Sequence, residues 1–291
     1  MNVVTNDLAD SQSEREYAFT DGDFRMIAEL ANAKFGLFLQ ESKKSLVYSR
    51  LARRLRALNL GSFHDYCALL ATEKGEAEQP NFLSALTTNV THFFREQHHF
   101  DQLRKDILPE LMPKVRAGGN LRIWSSACSS GQEAYCLAAT VLDVCPDATR
   151  LDIKILATDV DSVVIEKARK GRYPIDQLDA VVPQYRSKMV DDGTANDGQF
   201  GMSPKLRELI SFAQLNLMDA WPMRRPFDVI MCRNAAIYFD KATQARLWSR
   251  FEQALKPGGY LMIGHSERLS GAAAAHFRSI GITAYQKTKT D

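Results

Sequence analysis

The chain has 291 residues, 45% of them apolar and 25% charged, with a formal net charge of +2. Such a length and composition exclude a disordered chain and allow one large core or two smaller ones. Near-neutrality removes the global basic field that would imply nucleic acid or acidic membrane, and five scattered cysteines, never spaced C-x-x-C, fit reduced thiols and give no zinc framework.

Residues 1–18 are polar and acidic, lack the basic flank and apolar core of a signal peptide, and are expected to form a flexible tail. Apolar runs fall short of the roughly 20 residues a membrane helix needs, so a cytoplasmic protein is expected. From Thr20 the pattern turns helical: Thr20 or Asp21 can cap, and Phe24, Ile27, Ala28, Leu30 and Ala31 recur at helical spacing. A second helix, SLVYSRLARRLRAL, and a third, SFHDYCALLAT, are separated by Asn59, Gly61 and a Ser62 cap. A fourth runs from Asn81 towards Val90, so residues 19–90 read as a small all-α domain.

In the second helix Lys43, Lys44, Arg50, Arg53, Arg54 and Arg56 stand with no acid between Ser42 and Leu58. On a helical wheel Leu51, Leu55 and Leu58 share the core face, leaving Arg50, Arg53 and Arg56 largely opposite. A stripe of this kind is most often a solvated face. Next comes THFFREQHHF, residues 91–100, opening a charged helix through EQHHFDQLRKDILPELMPKVRAGG. His98 and His99 are adjacent, point in different directions on a helix and have no Cys or acid at ligand spacing. No metal is expected, and both read as surface or packing residues.

Then the period changes. LRIWSSA is a strand, GQEAYCLAATVLDV a helix, LDIKILATDVD a strand and SVVIEKARKG a helix, which implies a parallel sheet with crossover helices. Further strands are expected at LISFAQLNL, FDVIMCRN, GGYLMIGHS and ITAYQK, with a helix at DKATQARLWSRFEQAL. Residues 183–210, rich in turn-formers at DDGTANDGQFG, break the alternation and suggest an inserted antiparallel hairpin.

Ligands of open α/β sheets bind beyond the carboxyl ends of the strands. The first strand ends in SSACSSGQE, where small residues from Ala127 to Gly131 let a ligand approach the backbone; no G-x-G-x-x-G or G-K-[ST] phosphate motif occurs. Asp159 ends the second strand, placed either to accept from ribose hydroxyls or to cap the next helix. Asn216 and Leu217 end the third, suited to an adenine edge and face. Arg233, Asn234 and Tyr238 follow the fourth. In AAIYFD, Ile237 and Phe239 are the better core candidates, leaving Tyr238 for the site.

KKSLVYSRLARRLRAL, TTNVTHFFREQHHF, RIWSSACSSGQEAY, ATDVD, FDVIMCRNAAIYFDKATQ and LKPGGYLMIGHSE, in that order, resemble the CheR family of chemotaxis receptor methyltransferases from about residue 20 onward. The resemblance implies a Rossmann-like α/β methyltransferase domain at 91–291, with the β insertion at 183–210, behind the all-α domain. It implies S-adenosylmethionine as methyl donor and S-adenosylhomocysteine as product, held by Asn89, Thr91, Arg95, Ala127, Glu133, Asp159, Asn216, Leu217, Arg233 and Asn234. Glu133 would face the methionine amino group, although a first-turn acid also serves the helix dipole. NVTHFFRE would let Asn89, Thr91 and Arg95 close over the cofactor while Phe93 and Phe94 pack the junction.

The implied reaction esterifies glutamate side chains on the cytoplasmic helices of chemoreceptors. Arg95 and Tyr238 would orient the carboxylate, and Arg50, Arg53 and Arg56 would meet the acidic receptor. The expected partners are membrane receptor arrays, with no nucleic acid and no membrane insertion. A receptor C-terminal peptide could pair with the β insertion, and the protein is expected to be a monomer. Two departures stand out: SSGQEAYC replaces the usual STGEEPYS, so Gln132, Ala134 and Cys136 are exceptional, and Ala235 and Ala236 stand where larger apolar residues are usual, leaving a looser wall. A noncatalytic CheR-like protein binding cofactor and receptor is the alternative.

Overall fold

The computed structural model describes residues 16–191 and 198–288. The chain divides into two compact units at Thr88/Asn89. In the first, α1 (Asp21–Phe35) opens with a capping box in which Thr20 and Asp23 exchange hydrogen bonds, satisfying N–H groups that the helix itself cannot. α2 (Lys44–Leu58) stops at Asn59, which takes the left-handed conformation, and α3 (Phe63–Leu70) starts on the Ser62 hydroxyl. α4 (Gln79–Leu86) ends four residues before Val90. Ile27, Leu51, Leu55, Tyr66, Phe82 and Leu83 are fully buried side chains of this unit.

Among the described residues of the first unit, one acid is buried, Glu78. It accepts from Arg54 through two hydrogen bonds, 2.7 and 2.8 Å, and from Tyr66 and Asn81. Those donors outweigh the cost of burial and hold its carboxyl below the usual range.

In the second unit the charged helix expected over 96–119 is interrupted. α5 (His98–Gln102) and α6 (Leu108–Arg116) are joined by a π-helical turn at Leu103–Ile107, after positive φ at Phe94 and Glu96 delays the start. β1 (Leu121–Ser125), α7 (Gln132–Val144), β2 (Ile153–Asp159) and α8 (Ser162–Lys170) then alternate as expected. β3 (Arg172–Pro174), α9 (Pro183–Met189), β4 (Val190–Asp191), β5 (Gln199–Met202) and α10 (Pro204–Leu209) form the excursion, whose strands pair antiparallel in the order β3-β5-β4. It thus reaches back to Arg172 and carries helices as well as a hairpin. Residues 192–197 of its loop lie outside the described residues.

β6 (Ile210–Gln214), β7 (Phe227–Cys232), α11 (Lys241–Ala254), β8 (Leu255–Ile263), β9 (Phe277–Gly281) and β10 (Ala284–Lys287) complete the main sheet, ordered β6-β2-β1-β7-β8-β10-β9. β6 through β8 run parallel in that order, and β10 and β9 close the edge antiparallel. The order reverses about β1, so the loops following β1, β2, β6 and β7 gather where such sheets bind ligands. Tyr135, Leu137, Ile155 and Met231 belong to one large core; Trp124, Trp248, Phe251 and Leu261 belong to another. All five cysteines are buried and unbridged. Among the described residues, no helix is long and apolar enough to cross a membrane.

Candidate active site

Asp159 sits at the carboxyl end of β2, 9% exposed. Its Oδ2 accepts from Ser129 N at 2.8 Å and its Oδ1 from Asp161 N at 3.0 Å. Burial pushes the carboxyl up to about 6 against those donors, and the neighbouring Asp161 adds to the rise. The capping role considered for Asp159 belongs to Asp161, whose Oδ1 accepts from Val163 N at the start of α8. Asp161 also receives Asn89 Nδ2 at 2.8 Å, and Ser129 Oγ donates to Asn89 O at 3.0 Å. One network therefore ties Asn89, the loop after β1 and the end of β2 together.

A second network is built on Arg233, whose side chain is 2% exposed. Arg233 Nη1 donates to Glu133 Oε2 at 2.9 Å, and Nη2 lies 3.4 Å from Glu96 Oε2 and also donates to Arg95 O. Glu133, in the first turn of α7, holds its other oxygen 2.6 Å from Ser125 Oγ. Its carboxylate is thus oriented by a serine and an arginine, beyond any service to the helix dipole. Glu96 Oε1 accepts from Asn234 Nδ2 at 3.3 Å and from His265 Nδ1 at 2.9 Å. Burial pushes the Glu96 carboxyl up, but the His265 hydrogen bonds and the Arg233 charge prevail and hold it at about 2.

Phe94, Glu96, Ser129 and Asn234 all have positive φ, between 49° and 56°. These are costly backbone positions for residues with side chains, and such positions concentrate at functional sites. Sequence reading missed Glu96 entirely: an acid in a turn carries no spacing signal, and without glycine the left-handed positions were silent.

The other expected residues are distributed more loosely. Ala127 and Thr91 are half-buried. Arg95 Nη1 donates to Val90 O at 3.1 Å. Asn216 turns its amide onto its own loop, accepting from Met218 N at 3.0 Å, and Leu217 is buried beside the Trp124 core. Phe93 packs edge-on to Tyr173, and Phe94 stacks on Tyr185 at 4.7 Å, so both serve the core of the second unit. Ile237, expected in the core, is instead 47% exposed, because the turn at Ala236–Tyr238 directs Ala236 inward and Ile237 out. Ala236 is completely buried in a packed core, so the looser wall expected there is not an open one. A cavity of about 450 Å³ lies between Met218–Ala220 and α11, lined by Arg246 and Arg250, apart from the two networks.

His99 is fully buried and packs as expected, its Nε2 3.1 Å from both Ile282 O and Thr283 Oγ1. The expectation that no acid neighbours the histidines is corrected: the turn folds Glu96 back so that one ligand atom each of Glu96, His98 and His99 lies within 4.8 Å of the others. Glu96 is already engaged by Arg233, whose positive charge opposes a cation there.

In the first unit, Arg53 and Arg56 are exposed, and Arg56 reaches Glu16 at 2.9 Å. Arg50 departs from the expected stripe. Its guanidinium caps the end of α4, donating to Ala85 O at 3.2 Å and Thr87 O at 2.8 Å, because it lies at the edge of the core face and α4 ends beside it.

The family model for the CheR methyltransferase SAM-binding domain matches residues 89–286, and that for the CheR methyltransferase all-alpha domain matches residues 22–87. A probable chemotaxis protein methyltransferase of Rhizobium etli is 48% identical over 87% of this chain and 95% of its own length. Chemotaxis protein methyltransferase 2 of Pseudomonas aeruginosa is 42% identical over 93% and 95%, and the chemotaxis protein methyltransferase of Salmonella typhimurium is 38% identical over 96% and 94%.

Proposed function

We propose, from the premise that this chain belongs to the CheR methyltransferase family, that its S-adenosylmethionine-dependent methylation in chemotaxis is directed at glutamate side chains of chemoreceptors, forming methyl esters. The observation that carries this reading is the buried Asp159 carboxylate at the carboxyl end of β2, with acceptor capacity beyond its backbone donors. It fits a ribose diol. The small residues from Ala127 to Gly131 and the open start of α7 fit a ligand close to the backbone, and Glu133 fits an ammonium. When bound, S-adenosylmethionine supplies a methyl group on a sulfonium.

This chain's residues then have to hold and align. A receptor glutamate, with pKa about 4.3, is already ionised at neutral pH, so no side chain need take its proton. Arg95 presents a forked donor for that carboxylate and Tyr238 a single hydroxyl, and together they restrict its approach. Asn89, Thr91, Ala127, Asn216, Leu217, Arg233 and Asn234 complete the cofactor surround, with Arg233 acting through Glu133 and Glu96. Arg53 and Arg56 offer exposed charge to the acidic helices of a receptor, and Arg50 supports the fold of that surface. The protein acts as a soluble monomer recruited to receptor arrays.

The test is transfer of radiolabelled methyl to membranes bearing the host's chemoreceptors, with Arg95→Ala and Asp159→Ala beside the unaltered protein. Base-labile label on receptor glutamates, lost in both variants, is expected. Binding of S-adenosylhomocysteine without label on any receptor would replace this reading with a noncatalytic receptor-binding role.

A further inference from the structure

The loop after β8 contains an acid that meets the second network from behind, at the backbone of Asn234. Glu267 is 4% exposed and lies three residues beyond Gly264. Its Oε2 accepts from Gly264 N at 2.6 Å and from Asn234 N at 3.2 Å, and its Oε1 accepts from Ile237 N at 3.2 Å. One carboxylate thereby satisfies N–H groups from two separate strand-end loops. The turn it gathers has Asn234, at φ 56°, on one side and Tyr238 on the other, with Tyr238 N closing onto Ala235 O at 3.1 Å.

Gly264 supplies an independent observation. A Cβ there would stand 2.6 Å from Asn234 Nδ2, 2.8 Å from Asn234 N and 3.0 Å from Glu267 Oε2. The glycine leaves the space in which the carboxylate and Asn234 meet, and its φ is not in the range that itself demands glycine.

On the methyl-transfer reading above, we propose that Glu267 is a positioning residue for the reaction: its carboxylate, admitted by Gly264, holds the Asn234–Tyr238 turn so that cofactor and substrate carboxylate meet in one alignment. Glu267 itself touches neither. Glutamine at this position keeps the volume but turns an NH₂ towards backbone N–H groups, so at least one of the three bonds is replaced by a donor–donor clash.

The experiment measures receptor methylation kinetics, S-adenosylhomocysteine affinity by calorimetry and thermal unfolding for Glu267→Gln and Gly264→Ala. Both variants are expected to lower kcat about 10- to 100-fold below their unfolding temperatures, as misplacement of about an ångström does. Both should also weaken S-adenosylhomocysteine several-fold, roughly, through Asn234, with the receptor KM unchanged. The double variant should be no worse than the poorer single one, since both disturb one clasp. A lowered unfolding temperature with kcat and affinity within about twofold of the unaltered protein would reduce Glu267 to a structural residue and overturn the proposal. Should Glu267→Gln not fold, Gly264→Ala, which retains the carboxylate, decides by the same criteria. Should the unaltered protein methylate no receptor, the underlying reading has failed, and unchanged cofactor affinity in the variants would separately refute the clasp.

Discussion

In the ribose-binding role proposed for it, Asp159 accepts from two hydroxyls best when ionised, yet burial holds its carboxyl at about 6. The sign follows from linkage. A carboxyl raised in the folded state favours folding most below its unfolded pKa of about 3.9 and loses that contribution as pH rises through 6. Ligand binding runs the other way, because hydroxyl donors favour the ionised form. The groups beside it are Asp161, Ser129 N and the buried Cys128 thiol, which burial pushes well above its usual range and keeps protonated. S-adenosylhomocysteine affinity should therefore be flat above about pH 7 and fall by up to about tenfold per unit below 6. Asp159→Asn should bind weakly at every pH with a flat profile; a variant profile parallel to the original would assign the titration elsewhere. Asp159 and Arg233 were visible in the sequence because strand ends select positions, whereas Glu133 was reached through the family resemblance. Glu96 and Glu267 were not visible, since their partners lie 138 and 33 residues away at Asn234. Ile237 was misread because periodicity does not extend into a three-residue turn.

Along α2 the arginines separate into two kinds. Arg53 and Arg56 extend from the exposed face, whereas Arg50 satisfies the last carbonyls of α4 and Arg54 neutralises Glu78. Arg53→Ala with Arg56→Ala should raise the receptor KM several-fold at low salt, roughly, and less at 0.5 M salt, with kcat and stability unchanged. Arg50→Ala should destabilise the first unit by about 1–2 kcal/mol, read from denaturant titration. An unchanged receptor KM in the double variant would remove the helix from substrate capture. Helix ends marked by capping chemistry, at Thr20, Asn59 and Ser62, were legible. The break in the long charged helix was not, because the π-helical turn at Leu103–Ile107 answers to packing of Leu103 and Ile107 in the core. β9 was missed as well: FRSIG is too polar and too short to show alternation.

At the scale of the molecule, two units with separate cores predict unfolding in two calorimetric transitions. Both units contain ion pairs with a buried partner, among them Arg54 with Glu78 in the first and Arg233 with Glu133 and Glu96 in the second. Arg54→Ala leaves Glu78 without its cation and should lower one transition by about 3 kcal/mol; Glu133→Gln strips Arg233 of its nearer carboxylate while Glu96 remains 3.4 Å away, and should lower the other by less, about 1–2 kcal/mol. A single transition moved by both variants would refute independent units. The parallel βαβ core was legible from alternating periods. Strand order was not, since β7 joins β1 across 101 residues and no local pattern records which strand it will choose.

His99 Nε2 meets Ile282 O and Thr283 Oγ1, 183 and 184 residues further along the chain, and it does so three residues after Glu96. The turn that supports Arg233 is therefore anchored on the connection between β9 and β10. At a synthesis rate of about 5–20 residues per second, its anchor emerges some 10–40 s after the turn itself. A nascent chain can pair β1 with β2, and β2 with β6, early, but His99 must wait, a buried-to-be imidazole exposed to any competing partner. Assembly of the site is thus a late event in the life of each molecule. A ribosome that stalls before Ile282 leaves a chain with most of its sheet and the turn beneath Arg233 without its anchor.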